Sequence, residues 1–401
     1  MIPSMFRKAM VGDGSTLNLD FTTMTATADL TARGLTFTRA STTATYINSS
    51  GYVTTAGTNV ARFDHDLTTL APRGLLIEGS ASNIATYSND FSNAIWTVDT
   101  SGGTIPAVST VSQTGPDGAS TVTRITFNKT GGVFSRIRQT LSGTASQPYT
   151  MSVWMKANTA SGGASTQNVG LRIGADSAGF NCVVTTTWKR FQYTYTLSGT
   201  DAAAQIMLWD NIIGNDETAD VLVYGCQIET GSIASSYIPT VASTATRVAD
   251  SCVMTGTNFS SWYNATEGTL LAHAIRGRTS DIGRIATVND NTANESIQLA
   301  ADTSGEFIVV DGGSTLANIT PGTVTANTAF KIAGAYKLND VQAALGGTLG
   351  TADTSVTLPT VDRLMIGQQA GGSPVYLNGT ISLLKYWPTR LTNAQLQSLT
   401  T

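Results

Sequence analysis

From Leu17 onward, apolar residues recur at every second position in short runs: Leu17, Leu19 and Phe21, then Leu35 and Phe37, then Tyr46, with glycine and Asn-Ser-Ser-Gly turns between them. Period two is the signature of half-buried strands. The stretch Ala71-Pro72-Arg73-Gly74-Leu75-Leu76-Ile77-Glu78-Gly79 breaks the alternation with three consecutive apolar residues, which predicts a strand buried on both faces. After it, Asp90 is placed to cap a short helical turn that presses Phe91 and Ile95 onto that strand. Evenly spaced strands follow, among them 150–156, 169–173, 190–197, 205–209 and 221–229. Their alternation sets Met151, Val153 and Met155 against Ser152, Trp154 and Lys156, and Phe191, Tyr193 and Tyr195 against Arg190, Gln192 and Thr194. Strands resume from Gly268 and run to Pro388, and the chain closes on a helix opened by a Thr392/Gln395 capping box with Leu391 and Leu396 as its hydrophobic staple.

These elements predict an all-β chain: an N-terminal arm and β anchoring region at 1–96, two antiparallel sandwiches at 97–240 and 265–401, and a Thr/Ala/Ser-rich linker at 241–264 after Pro239. The opening region carries too few strands to bury its own apolar residues, so partner chains are expected to cover it, with Phe6 and Met10 as anchors. On that reading, a chain without residues 1 to 90 keeps two soluble sandwiches and loses only its attachment.

Composition narrows the function. Only 12% of the 401 residues are charged and the net charge is -4, so the surface is carried by Thr, Ser, Asn and Gly with no basic stripe for nucleic acid. No apolar run is long enough to cross a bilayer as a helix, and Met1 to Lys8 lacks the apolar region of a signal peptide, which places synthesis in a cytoplasm. Cys182, Cys226 and Cys252 fit neither zinc spacing nor a disulfide framework and are expected as buried thiols.

Catalytic chemistry finds little material. Glu229, Glu267 and Glu306 are isolated, and His65 and His273, the only histidines, lie far apart. No catalytic residue and no metal site is therefore assigned. Asp64 and Asp66 with His65 can hold a cation, but salt bridges to Arg62 or Arg73 account for them equally well. The Asp/Asn-rich stretch from Asp210 to Asp220 is a further loop where calcium is conceivable, and a plain polar loop is the stronger reading. Binding chemistry is better supplied, because sugars stack on aromatic faces flanked by amides and charges. Trp154 with Lys156, Arg172 and Gln192 is expected to form such a site on the polar face of the 97–240 sandwich, with Trp209 beside Asp210 and Asn211 as another. Packing or subunit contact is the competing role for these tryptophans.

The segments Arg73-Gly74-Leu75-Leu76-Ile77-Glu78 and Tyr87-Ser88-Asn89-Asp90-Phe91-Ser92-Asn93-Ala94-Ile95-Trp96 resemble a passage of bacteriophage virion proteins. The resemblance extends upstream through 35–41 and 59–64. The segments 149–157, 186–197 and 225–240 resemble the jelly-roll carbohydrate-binding module of that family. Those from 377 to 388 resemble the last strands of laminin-G or concanavalin A-like lectin sandwiches, and the tail 390–400 is typical of the same proteins. The stretch from Asn339 to Gly350 departs from the family's usual hairpin, which puts any ligand role there in doubt. The resemblance implies a non-enzymatic structural protein of the virion (tail fibre, baseplate or capsid-surface decoration), oligomeric, joined to other virion proteins through its N-terminal region and carrying weak host-glycan sites. A polysaccharide-degrading tail depolymerase is the alternative.

Overall fold

The computed structural model describes residues 12–277, 282–369, 371 and 375–401, so Phe6 and Met10 lie outside the described residues. The chain is all-β, built from two antiparallel sandwiches, with three short helices among the described residues. Trp96–Ser101, Phe134–Gln139, Thr166–Ile173, Phe180–Thr185 and Ala204–Trp209 form one five-stranded sheet of the middle sandwich. Thr104–Val111, Val122–Asn128, Pro148–Ala157, Lys189–Thr196 and Thr218–Thr230 form the other. The alternating residues Met151, Val153, Met155, Val169, Leu171, Ile206 and Leu208 meet in the core between them.

The second sandwich is assembled from both ends of the chain. Its eight-stranded sheet takes Leu17–Asp20, Phe63–His65 and Pro72–Ile77 together with Glu267–Arg276, Ala329–Lys337 and Gly379–Trp387, and its seven-stranded sheet takes Thr36–Thr38. One core holds Leu19, Phe21, Leu35, Phe37, Phe63, Leu75 and Ile77 with Leu270, Ile297, Phe307, Ile332 and Ile381. Residues 12–96 are therefore not a separate anchoring unit. Nor is 241–264 a linker, since Ser251–Thr255 is a strand pairing with both Thr36–Thr38 and Arg363–Ile366. The physical reason is that alternation reports that a strand is half-buried and not whose side chains bury it. The apolar residues expected to wait for a partner chain are covered by the C-terminal half of their own.

The Pro72–Ile77 strand lies between Phe63–His65 and Gly379–Trp387, with Leu75 opposite both Phe63 and Ile381. Leu75 and Ile77 enter the core, while Leu76 faces the other way, toward the middle sandwich. Gly74, at φ 91°, sits so close to the neighbouring strand that a Cβ would lie 2.1 Å from the Ile381 carbonyl oxygen. Only glycine fits there.

The middle sandwich is an insertion. The chain leaves through Ala81–Asn83 and returns through Ala245–Arg247, and the two segments pair antiparallel, Ala81 opposite Arg247. Buried Asn83 uses its whole amide at the crossing: it donates to the Cys226 and Ile238 carbonyls and accepts from the Ala85 and Ile228 N–H groups. Past it, residues 88–95 form turns and not the expected helical turn. Phe91 packs on Trp96 at 4.8 Å inside the middle sandwich, and Ile95 is exposed, because Asp90 spends its carboxylate on Ser92 instead of starting a helix. At the other end, Asn393–Thr400 is a helix whose cap matches the sequence reading, Thr392 and Gln395 bonding reciprocally.

A split sandwich gives a test opposite in outcome to an N-terminal anchor. A chain lacking residues 1–78 loses four strands from a shared core, and its outer sandwich should show no cooperative melting transition by calorimetry. A fragment spanning 84–243, whose ends lie side by side, should melt cooperatively by itself. A native-like transition of the outer sandwich in the truncated chain would refute the shared core.

Candidate functional site

Where the two sandwiches meet, five charged side chains are buried together. The Arg62 guanidinium bonds Glu78 at 2.6 Å and Asp250 at 2.5 Å, Arg39 reaches Asp250 at 3.1 Å, and Arg247 reaches Glu78 at 3.1 Å. Arg62 and Asp250 are fully buried and Glu78 is 4% exposed. The middle sandwich contributes Ser236, whose N–H and hydroxyl both donate to Glu78, and Ser235, whose hydroxyl accepts from Arg247 and donates to Glu229. Burial alone would raise the Glu78 pKa, but Arg247 and Arg62 beside it, with the Ser236 bonds, hold it down at about 2. For Arg62, burial works against the charge, and Asp250 and Glu78 outweigh it and raise its pKa.

Beside this junction runs a cleft of about 630 Å³. One wall is the middle sandwich, with Trp188, Lys189, Arg190 and Gln192 at the start of the Lys189–Thr196 strand. The other is the outer sandwich, with Asp64, His65, Asp66, Arg73 and Asn378. Arg190 spans the floor: it donates to the Ser235 carbonyl at 2.7 Å and to the Ser152 hydroxyl at 2.8 Å, and its guanidinium lies 4.5 Å from the Trp154 ring centroid. Trp188 is half-buried, its indole N–H donating to the Thr114 carbonyl.

The expected sugar site is divided by the fold. Trp154 points away from the middle core as its alternation requires, yet it is only 4% exposed, held between Tyr224 at 5.8 Å and Tyr237 at 5.6 Å in a small cluster that also takes Val53 from the N-terminal hairpin. It is no exposed stacking platform. Only Trp154 and Gln192 touch the cleft, and Gln192 is exposed and accepts from the Ala234 N–H. Lys156 is half-buried on the Trp154 strand, opposite Leu222. Arg172 and Trp209 lie on the other sheet, where they meet each other at 4.2 Å. Trp188 and Arg190 line the cleft without standing among the expected site residues; the sequence signal that marks them is the run Trp188-Lys189-Arg190, two cations beside an indole in a chain so poor in charge.

The acidic candidates have partners. Asp66 pairs with Arg73 at 2.6 Å and accepts the Thr68 and Thr69 N–H groups, which together hold its pKa at about 2, the Thr69 bond foremost. Asp64 accepts only the Ile47 N–H, and burial pushes it up to about 6. No group of three metal-ligating side chains occurs among the described residues. In the 210–220 loop, the Lys129 ammonium sits between Asp210 at 2.7 Å and Glu217 at 2.6 Å, while Asp220 pairs with Arg124 and Asp216 takes Asn168. Those carboxylates already have a cation or an amide. Cys182, Cys226 and Cys252 are buried and free.

No protein-family model and no curated protein matches the sequence. Among solved structures, the chain is similar to the CBM40 of the Ruminococcus gnavus IT-sialidase bound to alpha2,3 sialyllactose, at 13% identity over 36% of this chain and 88% of that one, with a TM-score of 0.32. It is also similar to domain 4 of AbnA, a GH43 extracellular arabinanase from Geobacillus stearothermophilus, in complex with arabinotriose: 12% identity over 43% of this chain and 82% of that one, TM-score 0.32. The receptor-binding domain of botulinum neurotoxin type G gives 6% identity over 37% of this chain and 38% of that one, TM-score 0.29. Likeness at this level carries no argument about ligand or activity.

The Asp64 environment yields a pH test. Its folded pKa lies above the ordinary carboxylate value, so its contribution is favourable when protonated and is lost as pH rises from about 4 through about 6. Asp64→Asn keeps an oxygen for the Ile47 N–H and removes the buried charge. Its melting temperature should exceed the parent's at pH 7, and the difference should vanish near pH 4. Parallel profiles for the two proteins would show that Asp64 is not disfavoured as an anion.

Proposed function

We propose that the chain is a non-enzymatic structural protein of a bacteriophage virion, a tail-fibre, baseplate or capsid-surface component, and that the cleft between its sandwiches takes host-surface glycan. The observation that carries the binding role is the composition of the cleft: an indole, a lysine, an arginine and a carboxamide on one wall face carboxylates, an imidazole and a carboxamide on the other. Sugars need this mixture of an aromatic face and groups that donate and accept. The virion assignment rests on the sequence resemblance, with a homo-oligomer attached to other virion proteins as its implied setting. A few stacking and hydrogen-bond contacts give dissociation constants on the order of 0.1–1 mM, so useful attachment requires many copies acting together.

Glycan arrays probed with multimeric protein should give signals that monomeric protein loses. Trp188→Ala combined with Gln192→Ala should abolish them while the melting transition stays, because neither side chain belongs to the main core of the middle sandwich. Full signal from that variant would remove the cleft from the binding role.

The depolymerase reading has one observation in its favour. Asp64 and Asp66 share the cleft with pKa values pushed apart, to about 6 and about 2, the division of labour that acid/base hydrolysis uses. Against it, Asp66 is occupied by Arg73 and its own turn. Incubation with host polysaccharide should release no reducing ends at any pH from 4 to 8; release that Asp64→Asn abolishes would establish catalysis and overturn the non-enzymatic assignment.

A further inference from the structure

The outer face of the middle sandwich's first sheet carries a second constellation, on the side away from the cleft-forming sheet. Val98, Ile137, Ile206 and Leu171 point into the core, so their neighbours point outward. Register aligns those neighbours in rows: Thr97, Arg138, Gln205 and Arg172 across four adjacent strands, then Asp99, Arg136, Met207 and Gly170. Side chains directly opposite one another in such rows are about 5 Å apart. Three arginines thus share one face, and the only carboxylate in these rows is Asp99.

Asp99 is fully used by Arg136, which grips it through Nε at 2.6 Å and Nη2 at 2.8 Å and donates to Gln205 at 3.0 Å. Arg172 is pinned by the Ser177 and Ala175 carbonyls and stacked on Trp209. The flanking Asp176 and Asp201 are engaged by Ser198 and by the Ala203 N–H. Arg138 has nothing. Half-buried between Thr97 and Gln205, its side chain makes no hydrogen bond or ion pair among the described residues, and its Nε is shielded from solvent without an acceptor. A guanidinium held in a sheet face with no acceptor from its own chain is destabilised, and its two Nη groups are left to take an acceptor from outside.

We propose that this face is a second binding site, selective for carboxylate-bearing saccharides such as uronates. Arg138 takes the carboxylate through its two Nη groups, and the Thr97 hydroxyl, which donates its own proton to the Arg138 carbonyl, accepts from a sugar hydroxyl. An open sheet face, unlike a closed pocket, admits a residue in the middle of a polymer. The saccharide assignment rests on the glycan-binding reading above, whereas the anion requirement rests on Arg138 alone.

Calorimetric titration of the intact chain with oligogalacturonate, its methyl ester and inorganic phosphate separates these claims. The oligogalacturonate should bind, and the neutral ester should not. Arg138→Gln should weaken binding about tenfold or more, and Arg138→Lys, which keeps the charge without the fork, should restore only part of it. Trp188→Ala in the cleft should leave this affinity unchanged, so loss of cleft binding and loss of this site read out separately. Unchanged affinity in both Arg138 variants, equal binding of the ester, or displacement by equimolar phosphate would overturn the proposal.

Discussion

The docking of the two sandwiches depends on the buried contact of Arg62 with Glu78 and Asp250. Taking one ion out of water costs several kcal/mol, and only a matched partner with its remaining lone pairs bonded recovers that cost. The groups involved come from four stretches of chain: Arg39 and Arg62 before the Pro72–Ile77 strand, Glu78 just after it, Ser235 and Ser236 from the end of the middle sandwich, and Arg247 and Asp250 from the return segment. None of these charges is tolerable in its place until the others arrive. Closing the outer sandwich and docking the inserted one are therefore a single event. A salt bridge this deep need not exceed a well-packed apolar contact in stability, but an apolar contact would not discriminate between this docking and a slipped one.

The three arginines outnumber the two carboxylates of that centre, and Glu229, joined through Ser235, lies next to it. Burial raises the pKa of Glu229, while the hydroxyl and N–H of Ser235 and the amide of Gln227 lower it. Burial is the largest of these effects and leaves the Glu229 pKa raised.

Sequence alone made the strands legible and left their partners hidden. Alternation correctly turned Trp154 away from Met151, Val153 and Met155, but it could not say what stands on the far side; the answer is Tyr224, Tyr237 and Val53. The same limit applies to Leu17, Phe37 and Phe63, whose half-buried pattern fits a partner chain as well as it fits residues about 200 to 370 positions downstream. The three-residue run at 75–77 was informative for a different reason. Leu75 and Ile77 fill the core, and Leu76 covers the opposite face because another sandwich lies there. Of the sugar-site candidates, Arg172 and Trp209 do meet, because their strands are neighbours in one sheet. Trp154 and Arg172 do not, because strands consecutive in the chain, Pro148–Ala157 and Thr166–Ile173, enter different sheets. Nothing in a period-two pattern assigns a strand to a sheet.

An inserted module has two crossings where a tandem module has one, and this changes what the cleft can do. With a single linker, the walls of an inter-domain cleft move against each other, and a ligand must supply the free energy to order them. Here Ala81–Asn83 and Ala245–Arg247 are paired to each other, Asn83 has every amide atom engaged, and the ionic centre lies directly behind Leu76 and Glu78. Two crossings and a buried ionic centre tie the walls to each other, so less ordering is left to be done across this cleft than across one spanned by a single linker.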